Sequence, residues 1–480
     1  MSPERTLLSA RWVIGHRDGE HVVFENGVVV IEGGAVLHVG PSFDGDVTHR
    51  VDYGEAVISP GFVDLDALSD LDTTILGYDN FPAWEKGRVW PESYVARGPY
   101  EMISPDELAF QKRFAFAMLI ANGITTALPI ASLFYREWGE TVEEFEAAAD
   151  AAENLGLRVY LGPAYRTGGQ VVDDRGTISA IYDEPRGLAG LEDAADFARR
   201  IDGRADGRIR AMFAPDRIET CTATLLQRTA AIAAEMGAPV RQHCCQSETE
   251  LRLVRAQHDC SPIEWLDRIG AIGPNWLLPH GTQATERDFA LMRDAGASLV
   301  HCPLVSARGG SILRSFPRCR AMGLNIGLGT DTWPPDMILN MQIGMMTARI
   351  ADGQDAIRSE ALFDAATLGG AAALGRDDLG RLAPGAKADI AVIDLSRTLQ
   401  TADPVQSLMT STSGRDVRDV WIDGRRVMAD RVIPGFGAAD FARAQAQYDG
   451  VIARYPDRTA HHPPVSEIFQ PSYRRDESHG

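Results

Sequence analysis

Apolar and polar positions change rhythm twice along the chain. Residues 22–40 run Val22-Val23-Phe24, Glu25-Asn26-Gly27, Val28-Val29-Val30-Ile31, Gly33-Gly34 and Ala35-Val36-Leu37. Short apolar runs broken by turn residues predict strands in a meander. Near the other end Ile390-Ala391-Val392-Ile393 and Val420-Trp421-Ile422 repeat the signal, the latter closed by the hairpin dipeptide Asp423-Gly424. Both terminal regions therefore supply strands, and the pattern predicts one small β unit shared between them.

Between these regions strands alternate with helical stretches. Ser104-Pro105-Asp106-Glu107 is a capping box with proline at the first helical position, and a helix is predicted over Leu108–Ala121. Gly123–Ile130 then reads as a buried strand, with further strands at Arg158–Leu161, Ile209–Phe213, Pro239–His243, Trp276–His280, Ala297–His301 and Asn325–Asp331. With Val57–Asp66 that makes eight. Parallel βα units in that number predict an α/β fold, a TIM-like (β/α)8 barrel whose chemistry lies at the C-terminal ends of its strands. The expected domains are 1–58 and 378–440 as the two parts of a small β-sandwich and 59–377 as the barrel. Residues 441–480 form a polar tail, predicted to wrap on the body or on a partner subunit.

Polar residues fall where the barrel rule puts them. His243, His280, His301 and Asp331 each close an apolar run. Any one of these histidines is as readily a partner for a loop carbonyl, but four strand-end positions together point to one pocket.

Composition narrows the partners. The chain has 480 residues, 45% of them apolar, and a formal charge of −20, so it can bury a large core and offers no basic stripe for nucleic acid. A small-molecule ligand is expected. No segment approaches the ~20 apolar residues of a membrane span, and Met1–Ile14 carries Glu4, Arg5 and Arg11 rather than a signal-like run. Cys221, Cys244, Cys245, Cys260, Cys302 and Cys319 lack metal-type or disulfide spacing, which fits a cytoplasmic protein.

Six motifs in order resemble the amidohydrolase superfamily, in particular the chlorohydrolase and aminohydrolase branch of triazine hydrolases and nucleobase deaminases. They are Ser59-Pro60-Gly61-Phe62-Val63-Asp64, Asn122-Gly123-Ile124-Thr125-Thr126, Leu278-Pro279-His280-Gly281 with Glu286 downstream, His301-Cys302-Pro303, Gly327-Leu328-Gly329-Thr330-Asp331, and Leu379–Asp389. The resemblance spans about Glu25 to Val432. It implies a hydrolase of non-peptide C–N bonds, a homo-oligomer, and a divalent metal held by a His-x-His pair on strand one, a His on strand five and an Asp on strand eight. A strand-six His and a Glu after the strand-five His would handle protons. His243, His280 and Asp331 match these positions, whereas the His-x-His pair falls on Asp66 and Leu68 and the Glu on Gln246.

These departures reshape the chemistry. Leu68 cannot coordinate, but Asp66 can, so a cation site of Asp66, His243, Asp331 and His280 is still available. Zinc, manganese and iron all suit such a donor set, and its oxygen content favours harder ions such as Mn²⁺ or Mg²⁺. Asp70 and Asp72 lie past the strand end and read as solvated loop carboxylates or helix caps. Equally, the site can work without metal: Asp66 and Asp331 facing each other would leave one carboxyl protonated and the other as base. Gln246 can hydrogen-bond a substrate but cannot shuttle a proton.

Around this centre Trp333 and the aromatic loop Tyr78, Phe81, Trp84, Trp90 and Tyr94 offer either stacking surfaces or core packing. Arg166 and Glu219 follow barrel strands, as substrate contacts or surface ion pairs. Cys244 and Cys245 beside His243 read as buried fillers rather than nucleophiles. The expected function is hydrolysis of a small nitrogen-containing substrate, by deamination or by amide or ring opening. Asp331 would be the base, His280 the polarising group, and Asp66 and Gln246 would assist. The alternatives are a metal-free isomerase, lyase or cyclase on the same barrel, and a catalytically silent binding protein.

Overall fold

In a computed structural model of the protein the described residues are 4–73, 75, 89–96, 102–131, 138–459, 461–469 and 471–474. Eight parallel strands form the central sheet: Phe62–Leu68, Ile124–Ile130, Arg158–Leu161, Ile209–Ala211, Val240–Arg241, Trp276–Pro279, Ser298–His301 and Ile326–Leu328. We call them barrel strands one to eight. Strand eight pairs with strand one through Leu328 and Asp64, and a bridge between Phe213 and Val240 joins strands four and five. The sheet is thereby closed.

Side chains alternate across it. Val63, Leu65, Leu128, Ile130, Tyr160, Met212, Leu277 and Val300 fill the inside, while Phe62, Ile124, Val159, Phe213, Leu278 and Leu299 face the surrounding helices. That period of two fixes which strand residues can enter the pocket.

The reading of Val57–Asp66 as one strand is corrected. Ala56–Pro60 pairs with Trp12–Val13 and with Ile390–Asp394 in the terminal sheet, and only Phe62–Leu68 is barrel. Gly61 is the pivot: a Cβ there would meet Thr125 Cγ2 and Oγ1 at 2.2 Å, so only glycine lets the chain pass from one sheet to the other so close to strand two.

Both terminal regions join one mixed sheet of eight strands, and the bridge between Ala35 and Lys387 ties its Ala35–Gly40 strand to the segment that leads into Ile390–Asp394. Leu8, Val13, Val29, Ile31, Ile58, Ile390 and Val392 make its separate core. Arg158, at the start of barrel strand three and 1% exposed, clamps this sheet to the barrel. Its Nε and Nη2 donate to Asp389 Oδ2 and Oδ1 at 2.8 and 3.1 Å.

The capping box forms as predicted, with Ser104 N–H donating to Glu107 at 2.8 Å and opening the helix Pro105–Ala121. The tail packs on the body of its own chain. Its helix Ala438–Arg454 lies on Pro105–Ala121, where Phe114 meets Phe436 and Phe441, and the Tyr448 hydroxyl donates to the Asp72 carbonyl at 3.2 Å. Among the described residues no helix is long and apolar enough to cross a membrane.

Candidate active site

Four side chains meet at the C-terminal mouth of the barrel: Asp66, His243, His280 and Asp331 each offer a ligand atom within 4.8 Å of the others. Local backbone geometry brings them there. Along strand one the pairing with strand two slips between Asp64 and Ala67, a bulge that re-aims Asp66. Its neighbour Asp64 anchors the bend by accepting from the Asp66 and Thr330 amides at 3.1 and 3.0 Å.

His280 and Asp331 take positive φ values of 79° and 45° just past strands six and eight. Such backbone is costly for residues other than glycine and is held by its surroundings. Here the His280 amide donates to the Val300 carbonyl at 2.9 Å and the Asp331 amide to the Asp66 carbonyl at 2.7 Å.

The groups approach without bonding one another. His243 Nε2 lies 3.5 Å from Asp66 Oδ1 and His280 Nε2 3.6 Å from Asp331 Oδ2, both beyond a good hydrogen bond, while the two imidazoles stack at 5.1 Å. Both nitrogens of the fully buried His280 have no hydrogen-bond partner, and Asp66 Oδ1 has none besides its ion-pair contact with Arg241. Buried polar atoms are rarely left so. Two imidazoles and two carboxylates with ligand atoms within 4.8 Å of one another fit a divalent cation.

Electrostatics set the protonation states. Burial pushes His280 well below the ordinary 6.5, with His243 adding to the effect, so its imidazole is neutral near pH 7. Burial alone would raise Asp66, but the Arg241 guanidinium and then His243 outweigh it and hold the carboxylate below its usual range. Arg241 Nη1 is 2.6 Å from Asp66 Oδ1. Of the two carboxyls expected to divide one proton between them, Asp66 is therefore the one that a buried guanidinium keeps ionised.

The amidohydrolase family profile matches residues 57–427. The chain belongs to the amidohydrolase family. A 5-methylthioadenosine/S-adenosylhomocysteine deaminase of Halobacterium salinarum is 28% identical to it over 427 residues, covering 87% of this chain and 91% of that one. A second so named, from Pelotomaculum thermopropionicum, is 27% identical over 430 residues, 87% of this chain and 92% of its own. Among solved structures, a zinc-bound adenosine deaminase from Xanthomonas campestris superposes with a TM-score of 0.75 at 22% identity, covering 93% of this chain and 98% of that one. The zinc complex of atrazine chlorohydrolase from Arthrobacter aurescens gives 0.76 at 19%, with 93% and 99% covered.

Within this amidohydrolase Gln246 is half-buried, three residues past His243. Its carbonyl accepts from Arg217 Nη1 at 2.6 Å, so the amide N–H₂ is what it offers a ligand. Arg217 Nε donates to Glu219 at 2.8 Å, and Gln170 donates to the same oxygen. Glu250 accepts from the Cys245 and Gln246 amides at 2.5 and 2.9 Å; burial and the neighbouring Glu219 push it up. Cys244 and Cys245 are buried and burial raises both thiols, as fillers should be, although for Cys245 the contact with Cys244 opposes that rise and is the larger single influence.

Other predicted residues stand apart. The His301 ring packs on Phe316 at 5.4 Å, on the helix side of strand seven. Trp333 stacks on Phe114 at 5.8 Å, within the aromatic cluster that holds the tail helix. Arg166 and Asp216 pair at 3.2 Å with both side chains 8% exposed, and Glu219 is 1% exposed, so these are buried ion pairs and not surface ones. Asp70 and Asp72 are likewise buried at 4% and 3%. Asp72 accepts from Thr332 Oγ1 and the Trp333 amide at 2.8 and 2.9 Å, fastening the loop behind Asp331. Trp84, with Tyr78 and Phe81, lies outside the described residues.

Sequence reasoning missed two contacts of Asp66. One is Arg241; the other is Cys302, whose thiol lies 3.4 Å from Asp66 Oδ2. Arg241 precedes His243 by two positions on one strand, so the alternation of side chains was the available signal.

Proposed function

We propose that the protein is a hydrolytic deaminase that removes an exocyclic amine from a small nitrogen heterocycle. One observation carries this reading: four donor groups from strands one, five, six and eight converge within 4.8 Å, on a chain whose relatives over most of its length are named deaminases. Asp66, His243, Asp331 and His280 would hold a divalent cation, which when bound supplies charge stabilisation and a more acidic water.

The protein's own groups then divide the work. The Asp331 carboxylate takes a proton from the attacking water as its oxygen bonds to the ring carbon. Neutral His280 would give one ring nitrogen to the cation and keep its N–H on the other, both of them without a hydrogen-bond partner in the protein, and that N–H would stabilise charge developing on the heterocycle. Asp331 then returns the proton to the amine as the C–N bond breaks and ammonia leaves. Both proton transfers fall to Asp331 because Gln246 has no proton to exchange; its amide N–H₂ orients the substrate. Six buried free cysteines suit a reducing compartment.

Ammonia release from adenine nucleosides, guanine and amino-triazines tests the reading, with chelated and with Zn²⁺- or Mn²⁺-supplemented protein. Release should occur for at least one class and fall at least ~100-fold in Asp331→Asn, the scale of a lost general acid–base group. Failure with every class, or an unaffected variant, defeats it. A metal-free acid–base reaction is the second reading, favoured by the 2.6 Å Arg241 contact that keeps Asp66 ionised unaided. Full turnover by the chelated protein would select it.

A further inference from the structure

Asp66 Oδ1 is contested. It is the oxygen nearest His243 Nε2, at 3.5 Å, and so the one a cation among the four groups would use; it is also the oxygen 2.6 Å from Arg241 Nη1. Arg241 sits on strand five two residues before His243, with its side chain inside the barrel, one layer below the pocket and 1% exposed. Its Nη1 donates to the Leu128 carbonyl at 3.2 Å, and Nε and Nη2 have no partner.

An arginine cannot shed its charge, and a guanidinium so poorly provided with hydrogen bonds is retained in a dry interior only through its counter-ion. Asp66 is that counter-ion. The same carboxylate therefore serves a fixed monovalent cation from below and would serve a divalent one from above. Like charges a few ångströms apart repel strongly where water is excluded.

We propose that Arg241 is a built-in counter-cation that weakens the hold of this site on divalent metal, so that metal exchanges freely instead of residing permanently. The inference rests on the reading of Asp66, His243, His280 and Asp331 as cation ligands. The physical logic is a charge balance across two strands. A cation bound here would be faced by two carboxylate and two imidazole ligands, a donor set of two negative charges, and Arg241 cancels one of them. Removing the guanidinium should turn a weak site into a strong one.

The test uses the full-length protein, its Arg241→Met and Arg241→Lys variants, and Zn²⁺ and Mn²⁺ alone as probes, read by equilibrium dialysis with elemental analysis and by melting temperature. Arg241→Met should bind Zn²⁺ at least tenfold more tightly than wild type. It should melt below wild type without metal, because Asp66 loses its partner, and at or above it with metal. Arg241→Lys keeps the charge and should keep the weak affinity. Independently of any variant, wild-type protein produced with added zinc and dialysed against metal-free buffer without chelator should hold well under one equivalent.

A full retained equivalent in wild type overturns the proposal. So does Arg241→Met binding Zn²⁺ no more tightly than wild type, which would make Arg241 a purely structural anchor while leaving the cation reading intact. Absence of binding to wild type and variants alike would sink both. Ammonia release is a separate readout, so failure of the deaminase reading cannot be confused with any of these.

Discussion

Gly329 touches Asp66. A Cβ built on this glycine, at the end of strand eight, would lie 2.4 Å from the Asp66 Cβ and 3.0 Å from the Cys302 thiol sulfur. The absent side chain is what allows strands one and eight to approach closely enough for Asp66 to enter the pocket. Gly329→Ala should therefore displace Asp66, lower stability by ~1–3 kcal/mol as overpacking does, and weaken metal binding at the same time. Thermal melting and a Zn²⁺ titration check this; an alanine accepted without loss of either would show that the approach is not required.

Gln246→Glu would place a carboxylate where Arg217 Nη1 already donates at 2.6 Å. The fold should tolerate it, since an amide–guanidinium contact becomes an ion pair. Because Glu can titrate and Gln cannot, the pH profile of kcat/KM should acquire a new acidic limb. An unchanged profile would place residue 246 outside the path of the proton.

Stability should depend on pH through buried histidines. Burial drives His301 down to about 3 and His21 to about 4 from an ordinary 6.5. The unfolded chain then binds protons over a range where the folded chain refuses them. These groups cost nothing above about pH 6.5, and stability falls as pH drops below it, by up to ~1.4 kcal/mol per pH unit for each histidine, levelling off near the folded values. Melting temperatures at pH 7.5 and 5 should separate, and His301→Leu should reduce the separation. Equal separations in variant and wild type would assign the acid sensitivity elsewhere.

Arg158 and Asp389 form a bidentate pair with side chains 1% and 4% exposed, and Asp389 Oδ1 also accepts from the Asp423 amide at 2.7 Å. Asp389→Ala should cost ~3–5 kcal/mol, since it strands a buried guanidinium. Urea denaturation measures it. A cost below ~1 kcal/mol would mean that Asp423, 3.7 Å from Arg158 Nη2, takes over as counter-ion.

The chain's own alphabet determined the barrel and named its four convergent groups, three as strand ends and Asp66 by its place in the strand-one motif. Strands of a parallel barrel are short apolar runs, and the residue that ends such a run is held at the mouth whatever its neighbours do; His243, His280 and Asp331 were legible for that reason. Tertiary structure decided the rest. Whether Asp66 turned inward depended on a bulge and on the missing Cβ of Gly329. His301 ends a strand as His280 does, yet it packs with Phe316 on the helix side, because where the ladder stops and the backbone adopts positive φ reverses the face that follows. Above all, the Arg241 guanidinium meets Asp66 only because a closed sheet brings strands one and five across the same interior. Charge pairing at that distance has no local signature, and it sets the electrostatics of the pocket.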